Sequence, residues 1–363
     1  MYDYLLVGAG LFNAVFAHEA VKRKKKCLVI EKRGHIGGNC YTENVEGITV
    51  HRYGAHIFRT SNKKIWEYMC QFANFNHFVN SPIARYKDEL YNMPFNMNTF
   101  SRLWNITLPR EAKDIIKRQS RDVHRPARNL EEHAISLVGK DIYEKLIKGY
   151  TEKQWGRPCT ELPASIMRRI PLRFTYNNNY YDDPYQGIPI GGYTPIIEKM
   201  FKNCEILCNT DYLESKEKWN SMAENVIYTG TIDAFYNYKY GELEYRSLRF
   251  ETEILNEKNY QGIAVVNFTE AAVPYTRIIE HKHFEFGTQE KTIISREYPV
   301  KCNRATEPYY PINDEKNNQK YKLYRRKAED EKHIYFGGRL GGYQYFDMQD
   351  TIKSALELAR KLL

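Results

Sequence analysis

The sequence predicts an α/β protein in which a parallel-sheet domain is joined to a helical domain and an antiparallel β-sheet domain. Three observations support this prediction. The first thirty residues follow the order strand, glycine turn, helix, strand; residues 95–150 show helical periodicity; and residues 170–330 contain short β-branched and aromatic runs. The first pattern is the outline of a Rossmann-like βαβ unit, and similar β/α character returns at the end of the chain.

The βαβ unit begins with an apolar strand over residues 2–7, followed at once by the turn Gly8-Ala9-Gly10. Apolar residues then recur at helical spacing from Phe12 to Ala17, and a second buried strand over 27–30 ends at Glu31. Two strands joined through a helix in this way are expected to lie parallel in one sheet.

Two further helices are indicated by capping residues and periodicity. A helix over 61–72 has Ser61 as its predicted N-cap, and one continuous helix over 131–150 presents an apolar stripe. A final helix over 348–363 has Asp347 as its predicted N-cap.

Short apolar runs predict strands over 226–230, 263–268, 277–279, 292–294 and 334–336. His281 and His283 alternate just after the third run, which would place both on one face of a strand. Because no carboxylate or cysteine pattern accompanies them, we predict no metal site.

These patterns of predicted helices and strands divide the chain into three predicted domains. The Rossmann-like domain takes residues 1–75, 190–235 and 326–363, the mainly helical domain takes 76–165, and the antiparallel-sheet domain, expected to bind substrate, takes 166–189 and 236–325.

The composition is that of an ordinary globular protein. Of the 363 residues, 42% are hydrophobic and 27% are charged, which excludes disordered and fibrous classes. The seven cysteines are odd in number and form no C-x-x-C pair, so neither a disulfide framework nor structural zinc is expected. No run approaches the roughly 18 apolar residues of a membrane span, and no signal-peptide pattern opens the sequence. We therefore expect a cytoplasmic protein without membrane insertion, and the net charge of +9 favours an anionic partner.

The glycine turn belongs to a dinucleotide-binding motif, G-x-G-x-x-G, whose third glycine is replaced by Asn13. Gly8 permits the tight turn, and Gly10 lets the backbone approach a pyrophosphate at the helix N-terminus. Glu31 can accept hydrogen bonds from a ribose and would repel a 2′-phosphate, which argues against NADP. Because glycine gives the closest helix–strand contact, Asn13 predicts a looser contact at this point.

The residues after Glu31 distinguish FAD from NAD. They have the form E-x₅-G-G, typical of FAD proteins, in which a side chain at Gly37 or Gly38 would collide with the cofactor or the helix. Near the end of the chain, Gly337-Gly338-Arg339 precedes the last helix, whose positive N-terminus can stabilise an anionic reduced flavin. We therefore predict FAD as the cofactor.

Six further strings point to one family. They are YGAHIF (53–58), KGYTEKQWG (148–156), NNY (178–180), VPYTR (273–277), EPYYP (307–311) and YFDM (345–348). With the FAD motif they resemble bacterial UDP-galactopyranose mutase, and the resemblance covers essentially the whole chain in order.

The resemblance implies a three-part homodimeric enzyme that interconverts a UDP-hexopyranose and its furanose. The family uses reduced FAD without net redox: N5 of the reduced flavin attacks the anomeric carbon of the sugar and UDP leaves. The cofactor supplies the difficult step, while the protein binds the diphosphate with arginines.

The resemblance and the glycine motifs also imply particular site residues. Cofactor contacts are expected at Gly8, Gly10, Leu11, Phe12, Glu31, Lys32, Gly38, Asn39, His56, Gly338, Arg339, Asp347 and Met348. Contacts to the UDP-sugar substrate are expected at Arg59, Asn80, Tyr150, Thr151, Trp155, Arg169, Tyr180, Asn267, Arg277, Tyr310 and Tyr345. Catalytic roles are expected for Arg277, Arg169 and His56.

Arg59 departs from the family pattern, which generally has histidine at this position. Arginine is longer, permanently charged and rich in donors. It could hydrogen-bond a larger substituent at the sugar's second carbon, so we expect that the enzyme accepts UDP-N-acetylgalactosamine as well as, or instead of, UDP-galactose. A substitution without effect on substrate is the alternative.

Three other functions fit the sequence less well than a mutase does. An FAD-dependent oxidoreductase of the amine-oxidase type shares the N-terminal motif but leaves the diphosphate-binding residues unexplained. An NAD-dependent epimerase would need a Tyr-x-x-x-Lys pair on a helix, and Tyr212 with Lys216 lies in a charged stretch that lacks an apolar helical face. The basic cluster from Lys22 to Lys26 could suggest nucleic-acid binding, but at a helix C-terminus such cations complement the dipole. We expect no nucleic-acid partner.

Overall fold

The computed structural model describes residues 1–167 and 172–363, which fall into two units. The first unit comprises 1–77, 183–247 and 302–363, and the second comprises 78–182 and 248–301. The segment predicted to be helical and most of the predicted sheet lie in the second unit, whereas 183–189, 236–247 and 302–325 belong to the first. The three-domain division therefore stays a prediction.

The strands are β1 (Tyr2–Val7), β2 (Cys27–Ile30), β3 (Thr42–Val45), β4 (Ile48–His51), β5 (Phe58–Thr60), β6 (Ile83–Tyr86), β7 (Glu89–Asn92), β8 (Tyr185–Gly187), β9 (Glu205–Leu207), β10 (Ala223–Tyr228), β11 (Tyr245–Leu255), β12 (Val265–Phe268), β13 (Arg277–Glu280), β14 (Thr292–Lys301), β15 (Tyr310–Pro311) and β16 (Ile334–Phe336).

The helices are α1 (Leu11–Lys22), α2 (Lys63–Cys70), α3 (Met97–Trp104), α4 (Pro109–Gln119), α5 (Leu130–Val138), α6 (Lys140–Ile142), α7 (Gly149–Trp155), α8 (Thr194–Met200), α9 (Lys216–Asn220), α10 (Ile232–Phe235), α11 (Glu315–Glu329), α12 (Gly338–Gly341) and α13 (Met348–Leu362). A π-helix spans Tyr143–Lys148, and 3₁₀ turns span Gly38–Cys40, Ala164–Met167, Tyr212–Glu214 and His281–Glu285. Within the described ranges, no helix is both long and apolar enough to cross a membrane.

The first unit is built on a parallel sheet in the order β16-β10-β1-β2-β9, which confirms the predicted Rossmann-like fold. Helices α1, α8 and α13 cover one face, and the other face packs against Tyr212, Trp219 and Phe235. Because both faces are covered, β1 and β2 consist almost entirely of apolar residues. This packing fixes the β1–α1 turn at the carboxyl ends of the strands, where open α/β sheets bind ligands.

The second unit combines a sheet with a helical core. Its strands follow the order β11-β14-β13-β12-β6-β7, and the described pairings are antiparallel except for the parallel pair β6–β12. The predicted antiparallel sheet is thus mixed at one pairing. Helices α3 to α7 enclose a separate apolar core that includes Phe100, Ala134, Ile142 and Leu146.

The structure corrects the predicted continuous helix over 131–150. It is interrupted at Gly139, whose φ of +82° lies in a region that helical residues cannot adopt. The chain resumes as α6 and the π-helix before α7 begins at Gly149. Apolar periodicity continues through Gly139, which is why it did not reveal the break.

Two local predictions about caps and strands also need correction. Asn62, rather than Ser61, caps α2: its Oδ1 accepts hydrogen bonds from the backbone N–H of Lys64 and Ile65 at 3.0 and 3.4 Å. His281 and His283 lie in a 3₁₀ turn instead of a strand. The predicted N-cap of α13 is confirmed, since Asp347 accepts the N–H of Asp350 at 3.0 Å.

Candidate functional site

The turn between β1 and α1 has a backbone conformation that glycine adopts most readily. Gly8 has φ +97°, and a Cβ added to it would lie 2.4 Å from Oγ1 of Thr229. A Cβ on Gly38, whose φ is +54°, would lie 3.0 Å from Cα of Gly10. Gly10 precedes α1 without supplying a side-chain cap, and the first turn of α1 has no acidic residue. The N-terminal N–H groups and the helix dipole therefore favour an anion such as a pyrophosphate.

Asn13 compensates for the missing third glycine. Its Nδ2 donates to the carbonyls of Val7 and Gly8 at 3.0 and 2.8 Å, and the side chain is fully buried. These bonds join α1 to the end of β1, so the predicted looseness at Asn13 is wrong. The amide adds a donor to the carbonyl of Val7, which also accepts hydrogen bonds from the backbone N–H and the hydroxyl of Thr229 at 3.1 and 2.7 Å.

Glu31 closes the end of β2 in the predicted position. Its two carboxylate oxygens accept the backbone N–H groups of Ala9 and Arg33 at 2.8 and 2.9 Å. The carboxylate is thereby fixed beside the glycine turn, with only 6% of the residue exposed. A fixed acceptor at this place suits ribose hydroxyl groups.

A charged cluster beside Glu31 joins the predicted cofactor residues Lys32 and Asn39 to Arg33 and Glu307, which had no role assigned from the sequence. Arg33 pairs with Glu307, donates to Oδ1 of Asn39 at 3.1 Å, and stacks over the ring of Tyr53 at 4.3 Å. Lys32 pairs with the same Glu307 at 3.2 Å. Burial raises the pKa of Glu307, but pairing with the two cations outweighs this effect and lowers it overall. Glu307 lies in the EPYYP string, but only the fold shows that its carboxylate pairs with Lys32 and Arg33, which follow β2.

His56 is held by backbone groups. Its Nδ1 lies 2.7 Å from the carbonyl oxygen of Gly54, and its own carbonyl accepts the hydroxyl of Tyr193 at 3.0 Å. Because a carbonyl only accepts, Nδ1 must carry a proton, and a neutral His56 then has its lone pair on Nε2.

Arg59 lies between two carboxylates of the first unit. Its Nη1 is 2.6 Å from Asp183 and its Nη2 is 3.2 Å from Asp347. Asp347 also caps α13, next to Met348, and burial raises its pKa. No sequence motif marks Asp183 as a partner of Arg59, because the two residues lie 124 positions apart.

The second glycine pair lies between β16 and α12. A Cβ on Gly337 would lie 2.4 Å from the ring of Phe12, and Gly338 has φ +70°. Phe12 is buried, so its ring contributes to the core as well as to the predicted cofactor site. Leu11 beside it is also buried.

Arg339 organises the two tyrosines predicted to contact the diphosphate. Its guanidinium donates to the carbonyls of Tyr309 and Phe346, at 3.1 and 2.5 Å for the shortest contacts. It lies 5.6 Å and 5.5 Å from the rings of Tyr310 and Tyr345, whose centroids are 5.4 Å apart.

In the second unit the structure joins Arg277 to Tyr150. Nη2 of Arg277 donates to the Tyr150 hydroxyl at 2.8 Å, and its Nε lies 3.1 Å from Oε1 of Glu297. Glu297 is 2% exposed and also accepts the hydroxyl of Thr276 at 3.1 Å. The guanidinium is thus paired with a buried carboxylate and bonded to the Tyr150 hydroxyl, with a quarter of its side chain exposed.

The other predicted residues of this unit lie on three neighbouring segments. Asn267 on β12 stands opposite Arg277 on β13 in the strand register. The carbonyl of Asn80 accepts the backbone N–H of Tyr180 at 2.8 Å. On α7, Thr151 is buried and Trp155 packs against the helical core. Arg169 lies outside the described residues, so its predicted roles stay predictions.

The arrangement in the first unit fits an FAD. Gly8 and Gly38 have positive φ, and a Cβ on Gly38 would lie 3.0 Å from Cα of Gly10, so these glycines form a close-packed cradle beside the start of α1. The fixed carboxylate of Glu31 and the open start of α1 complement the ribose and diphosphate of a dinucleotide. Fold and site together define an α/β protein of the flavin-dinucleotide-binding class.

Comparison with known proteins identifies the family. The UDP-galactopyranose mutase family profile matches residues 145–345, and an NAD(P)-binding Rossmann-like profile matches residues 6–72. The chain is 38% identical to a probable UDP-galactopyranose mutase of Klebsiella pneumoniae, covering 99% of this chain and 94% of that protein. It is 35% identical to a dTDP-fucopyranose mutase of Escherichia coli, covering 99% and 98%. The chain belongs to the UDP-galactopyranose mutase family.

Solved structures agree at the level of the fold. A reduced UDP-galactopyranose mutase superposes with a TM-score of 0.78 at 14% identity, covering 100% of this chain and 94% of that one. A putrescine oxidase reaches a TM-score of 0.55 at 10% identity, covering 99% of this chain and 98% of that one. The oxidase likeness is therefore a distant relation of fold alone.

Proposed function

We propose that this chain is a flavin-dependent mutase that interconverts the pyranose and furanose forms of a UDP-linked hexose. The observation that carries the proposal is the aimed guanidinium of Arg277 beside the Tyr150 hydroxyl, in a chain related to mutases along its whole length. The relatives are named for both UDP and dTDP sugars, so the experiment must also decide which nucleotide the substrate carries.

Arg277 would bind the diphosphate that departs from the sugar. A guanidinium forms bidentate, charge-assisted hydrogen bonds with phosphate oxygens, and its positive charge stabilises the leaving group. The charge of Glu297 holds the guanidinium nearby as an ion pair, and Tyr150 accepts a hydrogen bond from Nη2. Arg169 is proposed as the second diphosphate-binding arginine, on the resemblance alone.

Bound reduced flavin would supply the nucleophile toward the anomeric carbon. The chain's own contribution is to hold the cofactor through Gly8, Gly10, Gly38 and Glu31 and to exclude side chains from the cradle. His56 is proposed to take and return a proton at Nε2 while the sugar ring opens and recloses, because its Nδ1 proton is committed to Gly54.

Arg59 is proposed to contact the substituent at the second carbon of the sugar. Pairing with Asp183 and Asp347 neutralises its charge and fixes its direction. A neutral acceptor such as an N-acetyl carbonyl suits this site better than an anionic group of the substrate, which the two carboxylates would repel.

The test combines a flavin spectrum with turnover. Purified protein should be yellow, and after dithionite reduction it should convert UDP-galactose or UDP-N-acetylgalactosamine into the furanose, with a dTDP-sugar as comparison. Arg277→Ala should abolish turnover while leaving flavin bound. A protein that neither contains nor takes up flavin, or that works equally well when oxidised, would refute the proposal.

Three finer points belong to the same proposal. Reduced FAD is the active form, the enzyme is a homodimer, and it acts in the cytoplasm on nucleotide sugars for cell-surface polysaccharides. The resemblance to the family supports these points. Light scattering coupled to size exclusion tests the dimer: a mass of 43.0 kDa at assay concentrations would contradict it.

A further inference from the structure

Lys153 on α7 donates hydrogen bonds to three backbone carbonyls of one loop. Its Nζ lies 2.8 Å from the carbonyl oxygen of Phe268, 2.9 Å from that of Val273 and 3.0 Å from that of Tyr275. Phe268 ends β12, and Val273 and Tyr275 lie in the connection to β13; residues 268–276 are called here the 268–276 loop. An ammonium group has three N–H donors, and all three find carbonyl acceptors in this loop.

The loop also packs directly on α7 one turn earlier. A Cβ added to Gly149 would lie 2.4 Å from the carbonyl oxygen of Thr269 and 3.0 Å from the backbone nitrogen of Ala271. Residues four apart lie on the same face of a helix, so Gly149 and Lys153 contact the loop side by side. Helix and loop therefore meet along a full helical turn.

The place of the loop on α7 decides where two predicted substrate residues lie. Arg277 directly follows the loop, and Tyr150 projects from α7 between Gly149 and Lys153. The 2.8 Å bond from Arg277 to the Tyr150 hydroxyl therefore depends on how the loop is held against the helix. Asn267, opposite Arg277 in the register, is carried by the same hairpin.

A charged side chain is a costly way to fill this position. Burial lowers the pKa of Lys153 to about 8, while the carboxylate of Glu270 opposes the shift. A methionine of similar length would pack here without the penalty for a desolvated cation. Packing alone therefore does not account for lysine at this position.

We propose that Lys153 is a positioning residue, which locks the 268–276 loop onto α7 and thereby aims Arg277 and Tyr150 at a nucleoside diphosphate. This inference rests on the proposed function. It assigns to Lys153 no contact with the substrate, because its three donors are directed at the loop.

The test measures UDP binding to the flavin-loaded protein by calorimetry, with steady-state kinetics alongside. Lys153→Met should raise the Kd for UDP at least tenfold and raise KM more than it lowers kcat, with flavin content unchanged. Lys153→Arg should restore most of the affinity, since a guanidinium also donates several hydrogen bonds. Lys148→Met is the matched control, because Lys148 on the neighbouring turn pairs with Glu144 at 3.5 Å and lies over the ring of Tyr143, with no hydrogen bond to the 268–276 loop among the described contacts. This variant should bind UDP like the native protein.

A double-mutant comparison separates positioning from general stabilisation. In a Tyr150→Phe background, Lys153→Met should cost much less UDP affinity than in the native background, because the aimed pair is already broken. An equal cost in both backgrounds, or native UDP affinity in Lys153→Met, would overturn the inference while leaving the proposed function intact. If the native protein does not bind UDP, both fall. Lys153→Gln, which keeps two donors, serves for the same comparison if the methionine variant does not fold.

Discussion

Replacing Asn13 by glycine would restore the usual third glycine of the dinucleotide motif, yet we predict that it weakens the protein. The substitution removes two hydrogen bonds of Nδ2, a buried one to the carbonyl of Val7 and a partly buried one to that of Gly8. Each contributes about 1 kcal/mol to stability, and glycine in a helix adds a penalty of up to about 1 kcal/mol. Part of this loss is offset because Oδ1 of Asn13, which finds no hydrogen-bond donor among the described residues, is removed as well.

The expected net loss for Asn13→Gly is about 1–3 kcal/mol in the free energy of unfolding. Urea titration of the flavin-loaded protein measures it as a lower midpoint at unchanged slope. Since the bonds hold the carbonyl of Gly8, the dissociation constant for FAD should rise in parallel. Asn13→Ala is the control that loses the same bonds but keeps helix propensity, so it should be destabilised slightly less. Native midpoint and native FAD affinity in Asn13→Gly would refute this account of the motif.

Three further predictions concern the cradle, the sugar and pH. Gly38→Ala should lose at least nine-tenths of its flavin, measured by the 450 nm to 280 nm absorbance ratio, because the new Cβ would stand 3.0 Å from Cα of Gly10; a native ratio would contradict the close approach. Arg59→His should shift turnover from UDP-N-acetylgalactosamine towards UDP-galactose, and an unchanged ratio of kcat/KM for the two sugars would exclude a role for Arg59. Because the pKa of Lys153 lies at about 8, its charge is present below that pH and lost above it. UDP affinity should therefore fall between pH 7 and pH 9 in the native protein but not in Lys153→Arg, and parallel profiles would contradict the prediction.

The pKa of Lys153 has a separate consequence for stability. Its folded-state pKa of about 8 is below the ordinary lysine pKa of 10.5. Between these values the unfolded chain binds a proton that the folded protein has released, so this group makes unfolding less favourable as pH rises. Substrate affinity and stability are thus expected to respond to this lysine in opposite directions across the same pH range.

Residues close together in the sequence determined much of this protein. The βαβ unit, the glycine turn, Glu31 and the N-cap Asp347 were all predictable, because spacing and periodicity within about thirty residues decide them. The interruption of the helix at Gly139 could not be predicted, because hydrophobic periodicity carries no information about the backbone conformation of a single residue.

Only the tertiary structure decided which groups, distant in the sequence, form ion pairs or hydrogen bonds with one another. Arg59 meets Asp183 across 124 positions, Arg33 meets Glu307 across 274, and Lys153 reaches Phe268 across 115. Such pairs depend on strand order and on the packing of loops against helices, which no local pattern encodes. The physical reason is that a hydrogen bond or ion pair needs contact within a few ångströms, whereas sequence spacing fixes distances only within one helix, strand or turn.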